Sequence, residues 1–322
     1  MISFKAARQI IACCFVVAAL ARPQQVSIEP RAKTAPKQSG AAADVPRPDL
    51  RVDTNLVLIP VEVSDPLNRP VAGLEKSNFR VFDERIEQNI VSFAMEDAPI
   101  AIGMVFDTSG SMGEAVRDSR FAAHEFFKTA EPGDEFCLVV FDSTPKLVVP
   151  LTQDPREIDQ QLMFTRSQGS TALIDAVYMA LNEMKKSKKT KKALIIISDG
   201  GENHSRYTPS ELQNFVRESD VLIYTIGVFG SGDGSNYERH TLLGQISAES
   251  GGRAFPSAGY PLPEFAQKII IDLRNRYLIG YSPTDRARDG RFHHVDVKLL
   301  PPRGLPAKLS VHWRSGYYAP ER

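Results

Sequence analysis

Cysteine is scarce, with three among 322 residues. Cys13 and Cys14 fall in the amino-terminal segment, which leaves Cys137 alone in the body of the chain. A disulfide-stapled fold is thereby excluded, and at this length a hydrophobic core suffices without one. Cys137 lies in the apolar run 136–141 and reads as a buried, unpaired core position. A charge excess is also lacking: Lys plus Arg number 39, and Asp plus Glu number 39. That balance argues against a dedicated nucleic-acid binder, which shows a basic excess. The six His have no zinc-ligand spacing. His293 and His294 are neighbours on a strand-like stretch, so they point to opposite faces and cannot chelate together. There is no phosphate-binding P-loop and no Ser-His-Asp set around a nucleophile elbow.

What is present begins with a targeting segment. Lys5 and Arg8 form a positive region, and residues 10–20 form an apolar core too short for a typical spanning helix. Ala19-Leu20-Ala21 fits a small-x-small cleavage site. Export to the periplasm or the cell exterior is the expectation, with an uncleaved amino-terminal anchor as the alternative. Beyond that segment nothing suggests a lipid bilayer. Ile11-Ala12-Cys13 loosely resembles a lipoprotein box, but almost no apolar run precedes it. Residues 22–50 have repeated Pro, Ala, Gln and Lys without aromatics, the composition of a disordered linker.

The hydrophobic fraction of 42% is enough for ordinary globular cores. Residues 51–97 carry short strand patterns at 56–63, 79–83 and 90–93, with turn chemistry at 65–70. From residue 98 the texture becomes alternating. Strand runs at 100–107, 136–141, 193–198, 221–228 and 253–255 are separated by helical patterns at 114–130, 157–164, 171–184, 210–218, 239–249 and 263–276. In the first of these helices Ala115, Phe121, Phe126 and Phe127 are the apolar positions. Residues 147–149 are placed to pair with 136–141 as a hairpin. This alternation implies an α/β domain: a doubly wound, mostly parallel sheet covered by helices on both faces. After it, strand patterns return at 277–281, 292–300 and 308–313. The organisation expected is therefore a signal peptide over 1–21, a linker over 22–50, an N-terminal β segment over 51–97, the α/β domain over 98–270 and a C-terminal β segment over 271–322. Each β segment is too small for a core of its own, so the two are expected to pack as one antiparallel unit.

The chemistry concentrates where apolar strands end in acid. The run 100–106 is apolar throughout and stops at Asp107-Thr108-Ser109-Gly110-Ser111. A buried aspartate at a strand tip is costly unless something pairs with it. One Asp and two Ser on a short loop offer hard oxygen ligands, the kind that Mg²⁺ prefers. The same pattern also serves as an N-cap for a following helix. A second strand, 193–198, ends in Asp199-Gly200-Gly201. A third loop, Gly169-Ser170-Thr171, opens a helix with a hydroxyl. In a doubly wound sheet these tips meet at the carboxyl edge, near the point where strand order reverses.

Together these loops resemble the von Willebrand factor type A domain. Asp107, Ser109 and Ser111 match the family's metal-ion-dependent adhesion site loop. Thr171 matches its threonine loop and Asp199 its final aspartate, so all five family positions are occupied. The likeness covers roughly residues 98 to 270. The flanks, through Pro70-Val71-Ala72-Gly73-Leu74 and Arg276-Tyr277-Leu278-Ile279-Gly280-Tyr281, resemble those of a bacterial secreted "VWFA-related" family. The resemblance implies a Mg²⁺ site, with Mn²⁺ able to take its place. One coordination position would be open to an Asp or Glu carboxylate of a protein partner. It implies a non-enzymatic, adhesion-like binding module. The alternatives are a metal-dependent phosphohydrolase and an accessory subunit of a larger envelope complex. Against the hydrolase, Ser109 stands two residues after Asp107, where a second acid would be needed.

Other residues rank lower. Asn203 and Tyr207 follow Asp199 and are candidates for a ligand rim, with a plain turn as the alternative. Asp142 ends another strand, in a solvated loop or behind the site. Residues 185–192 hold six Lys, which suit either a helix C-terminus or an anionic surface.

Overall fold

The computed structural model describes residues 56–67, 69–95, 98–228, 236–257, 261–284, 289–300 and 308–321, with backbone alone over 236–241. The signal segment over 1–21 and the linker over 22–50 lie outside the described residues. The first strands are β1 (Val57–Ser64), β2 (Phe79–Asp83), β3 (Ile86–Gln88) and β4 (Ile90–Met95). Then come β5 (Ile100–Asp107), α1 (Ala115–Phe127), β6 (Glu135–Phe141), β7 (Pro145–Thr152), α2 (Pro155–Leu162) and α3 (Leu173–Met184). They are followed by β8 (Lys191–Ser198), α4 (Pro209–Glu218), β9 (Leu222–Gly227), α5 (Asn236–Ser250), β10 (Ala254–Pro256) and α6 (Leu262–Arg274). The chain closes with β11 (Tyr277–Tyr281), β12 (Phe292–Leu299), β13 (Ser310–Trp313) and β14 (Gly316–Tyr318). Among the described residues no helix is long and apolar enough to cross a membrane.

Six strands form the central sheet in the order β10-β9-β8-β5-β6-β7. All neighbours are parallel except β7, which returns beside β6 as an antiparallel edge. The doubly wound α/β class is therefore the observed one. Every residue of β5 is buried, as a continuous apolar run requires when helices cover both faces. Its alternate side chains serve two cores. Ile100, Ile102, Met104 and Phe106 join the cluster holding Val116, Phe126, Ile158 and Ile269 of α1, α2 and α6. Ala101 and Val105 join the cluster holding Leu173, Val177, Leu212 and Ile246 of α3, α4 and α5. Gly103 leaves room for that second layer: a Cβ there would lie 2.7 Å from Leu194 Cδ1 and 3.1 Å from Met184 Sδ.

Several local choices explain the helix boundaries. Asp154 accepts from Arg156 N at 3.0 Å, and Pro155 opens α2 three residues before its first apolar residue, Ile158. Thr208 and Glu211 form a reciprocal capping box at the start of α4. In α1 the buried face is Val116, Ser119, Ala122, Ala123, Phe126 and Phe127. Phe121 departs from the expectation and is exposed, because its spacing from Phe126 and Phe127 puts it on the opposite side of the helix. Cys137 is a free, buried thiol beside Met184, with sulfur atoms 3.8 Å apart. Burial pushes it up to about 12. The lysine run serves α3 and its surroundings. Lys192 Nζ donates to the Met184 carbonyl at 3.0 Å, Lys186 pairs with Glu183, and Lys185 lies over the Phe215 ring at 4.2 Å.

Two further four-stranded sheets have the orders β13-β1-β11-β4 and β14-β12-β2-β3. Each draws strands from both ends of the chain. They enclose a third core with Ile59, Val61, Phe79, Val81, Tyr277, Ile279 and Val297. His293 is buried near Asp83 while His294 faces outward. The seam with the α/β domain is charged. Arg276 donates to Tyr224 Oη at 2.6 Å from Nη2 and 3.1 Å from Nε, and to the Gly251 carbonyl at 3.2 Å. Arg253 Nη1 lies 3.4 Å from Glu62 Oε1.

Candidate metal centre

The order of the central sheet reverses between β5 and β8, and both strands end at the same edge. Their last residues, Asp107 and Ser198, meet there. Ser198 Oγ donates to Asp107 Oδ2 at 2.6 Å. The chain after β5 turns at once, so that Ser109 N donates to Asp107 Oδ1 at 2.8 Å. Ser109 Oγ and Ser111 Oγ stand 3.1 Å apart.

The loop before α3 is stitched onto this turn. Gln168 N donates to the Thr108 carbonyl at 2.8 Å, Gly110 N to the Gly169 carbonyl at 3.0 Å, and Ser167 Oγ to the Ser109 carbonyl at 2.5 Å. The loop after β8 reaches the same place from the other side. Asn203 Oδ1 accepts from Thr171 N at 2.9 Å, and Asn203 N donates to the Thr171 carbonyl at 3.0 Å. Gly201 lies between the two functional side chains. A Cβ on it would sit 3.0 Å from Asp199 Oδ1 and 3.4 Å from Thr171 Oγ1. The structure thus brings Asp107, Ser109, Ser111, Thr171 and Asp199 to one edge from three loops.

Asp107 and Ser109 are fully buried, Thr171 and Asp199 nearly so, and Ser111 is exposed at the mouth. Burial pushes the Asp107 carboxyl up to about 6; hydrogen bonds from Ser198 and Ser109 pull it down, and the Asp199 charge adds to the rise. Two carboxylates held together in a poorly solvated pocket favour a positive guest. The available donors are carboxylate and hydroxyl oxygens, the set for a hard divalent ion. Among the described residues no three His, Cys, Asp or Glu come together as a metal cluster, so hydroxyls would complete any ligand set here. The residues present therefore fit Mg²⁺ or Mn²⁺.

The two rim candidates are otherwise engaged. Asn203 binds the backbone of Thr171 on both sides. Tyr207 stacks on Tyr178 with ring centres 4.0 Å apart, and Tyr178 stacks on Phe215 at 4.6 Å. Asp142 acts behind the threonine loop, where its carbonyl accepts from Ala172 N at 2.9 Å. Two contributors were not found by sequence reasoning. Ser198 holds Asp107, and its signal was a hydroxyl directly before Asp199 at a strand end. Glu202 caps α3 from a distant loop, accepting from Ile174 N at 2.9 Å and from Ser205 Oγ at 2.7 Å. No local pattern announces that contact.

Residues 102–202 match the sequence profile of the von Willebrand factor type A domain. Among curated proteins, inter-alpha-trypsin inhibitor heavy chain H4 of Bos taurus is 25% identical over 206 residues, 58% of this chain and 22% of that protein. The matched stretches cover between 18% and 41% of the curated relatives. Among solved structures, an aerotolerance-related membrane protein from Bacteroides fragilis aligns with a TM-score of 0.45 at 15% identity, covering 54% of this chain and 98% of that one. The vWF domain of the type V pili tip protein Mfa5 from Porphyromonas gingivalis gives 0.44 at 14% identity, covering 55% and 97%.

Proposed function

We propose that this chain, which carries a von Willebrand factor type A domain, is a non-enzymatic module that binds an acidic protein partner through a metal ion. The carrying observation is the pair of strand-tip carboxylates, Asp107 and Asp199. They are held beside three hydroxyls at one edge of the sheet. Asp107, Ser109, Ser111, Thr171 and Asp199 would hold Mg²⁺ or Mn²⁺. When bound, such an ion would supply an electrophilic point whose open coordination position a carboxylate of the partner can fill.

The protein's own part is to keep the oxygens in place. Ser198 and the Ser109 amide fix both oxygens of Asp107. Asn203 fixes the threonine loop, and the Gly201 amide donates to Asp199 Oδ1 at 2.9 Å. A rigid arrangement of this kind lowers the ordering cost of binding. Export, read from residues 1–21, would place the module in the periplasm or outside the cell.

Mn²⁺ titration followed by electron paramagnetic resonance tests the site. The free-ion signal should be lost on addition of protein to one equivalent and return when Mg²⁺ is added in excess. Asp107→Ala should abolish the loss. Unchanged Mn²⁺ uptake by Asp107→Ala would refute the assignment.

A further inference from the structure

The segment between α2 and α3 presents side chains that the metal centre does not use. Met163 is 73% exposed and Phe164 80% exposed, side by side after the last turn of α2. Single exposed apolar residues are ordinary, but an adjacent large pair on a fixed loop suits a contact surface. The loop is fixed at several points. Thr165 Oγ1 donates to the Leu162 carbonyl at 2.7 Å, and Arg120 Nη1 to the Met163 carbonyl at 3.3 Å. Ser167 Oγ donates to the Ser109 carbonyl and accepts from Gly113 N at 3.0 Å.

Beside it lies a hollow of about 470 Å³, whose wall includes Gly110 of the metal loop together with Arg117, Arg120 and Arg166. Arg120 is occupied by backbone carbonyls. Arg166 is exposed and makes no ion pair or hydrogen bond among the described residues. Among the described residues, the Arg117 side chain has only an exposed contact with Asp118 at 4.0 Å, of a kind that contributes little. Glu114 is the acid on the same wall and Asp118 lies beside Arg117, so Arg166 is the guanidinium there with no carboxylate partner among the described residues.

Resting on the metal-dependent reading above, we propose that Phe164, Met163 and Arg166 form a second contact next to the metal centre. The occupant is an extended acidic segment of a partner protein. One carboxylate of the segment would go to the ion. A second would go to Arg166, in the bidentate geometry that a guanidinium offers. An apolar side chain of the segment would cover Phe164 and Met163. The contact lies close to the metal loop: Phe164 is three residues from Ser167, whose Oγ bonds the Ser109 carbonyl, so about 10 Å at most separates the Cα atoms of Phe164 and Ser167. The partner class is thus narrower than "any carboxylate": an acidic stretch with a neighbouring aromatic or aliphatic residue.

Panning a random peptide library displayed on phage tests this, using wild type, Phe164→Ser and Arg166→Ala, each with Mg²⁺ and with EDTA. Both variants should melt as wild type does, because the altered side chains are exposed. With Mg²⁺, wild type should enrich peptides holding two acids and an apolar residue within a few positions. Each such peptide should bind the variants at least about tenfold more weakly, the size of an ordinary interface anchor. Phe164→Ser should lose the apolar preference, and Arg166→Ala the second acid. If peptides bind only with Mg²⁺ but need neither feature, the second contact is refuted while the metal reading survives. Enrichment that ignores EDTA refutes the metal reading, and this proposal with it. No enrichment on wild type refutes the docking surface.

Discussion

Glu62 gives the fold a pH dependence that one substitution can isolate. Its carboxyl is buried in the seam between the β unit and the α/β domain, with Oε2 lacking a hydrogen-bond partner among the described residues. Arg253 is 3.4 Å from Oε1 and His312 is 3.9 Å from Oε2. Asp272 and Arg276 lie in the same cluster. Burial raises the Glu62 carboxyl from 4.5 to about 7, and the Asp272 charge adds to the rise against Arg253 and Arg276. His312 is pushed down to about 4 by burial and the two arginines, so it stays neutral over this interval. The folded chain holds the Glu62 proton more tightly than the unfolded chain does. Its stabilising contribution is therefore complete below about pH 4.5 and lost as pH rises through about 7. That difference corresponds to on the order of 3 kcal/mol. Glu62→Gln keeps an acceptor for Arg253 and removes the titration. Urea denaturation of wild type and variant from about pH 4.5 to about pH 8 gives a difference in which groups outside this cluster cancel. The variant should gain on wild type as pH rises and be the more stable one at the alkaline end. A difference that does not change with pH, or one that changes in the opposite direction, would refute this account of the seam.

Four further outcomes follow from the site and the cores. Gly201→Ala places a methyl 3.0 Å from Asp199 Oδ1, so it should weaken Mn²⁺ uptake in the resonance titration while leaving the circular dichroism spectrum unchanged. Ser198→Ala removes the donor to Asp107 Oδ2 and should cost about 1–3 kcal/mol in urea denaturation. Leu138→Ala empties a fully buried position in the central sheet and should cost about 2–5 kcal/mol by the same measurement. Arg85→Gly relieves a φ of 70° in the turn between β2 and β3 and should raise stability by up to about 1 kcal/mol.

Much of the α/β domain was legible because its strands are buried on both faces. A run such as 100–107 has few alternatives in a chain that also alternates with helical periods. The strand-tip acids were visible for the same reason, since a carboxylate ending an apolar strand stands out from its surroundings. The misses have physical causes. β3 follows β2 through Glu84 and Arg85, which adopt φ of 46° and 70°. Non-glycine residues rarely do so, and no Asn-Gly pair announced the hairpin. β14 is three residues long and is held by pairing with β12 rather than by its own pattern. Phe121 showed that apolar spacing alone does not decide which side of α1 is buried. Glu202 caps α3 and Ser198 holds Asp107 through contacts between separate loops or adjacent strands, which sequence spacing does not encode.

The central claim is that a divalent ion binds between Asp107 and Asp199, and thermal melting tests it most directly. An ion that binds only the folded arrangement stabilises by about 2.7 kcal/mol at a hundredfold excess over its dissociation constant. For a domain of this size that is roughly 5–10 °C in Tm. Wild type should show this rise when Mg²⁺ replaces EDTA. Asp107→Ala lacks one ligand, and also loses the hydrogen bonds from Ser198 and the Ser109 amide; whatever its Tm in EDTA, it should gain little from Mg²⁺. A full Mg²⁺ shift in Asp107→Ala, or none in wild type at millimolar Mg²⁺, would contradict the account.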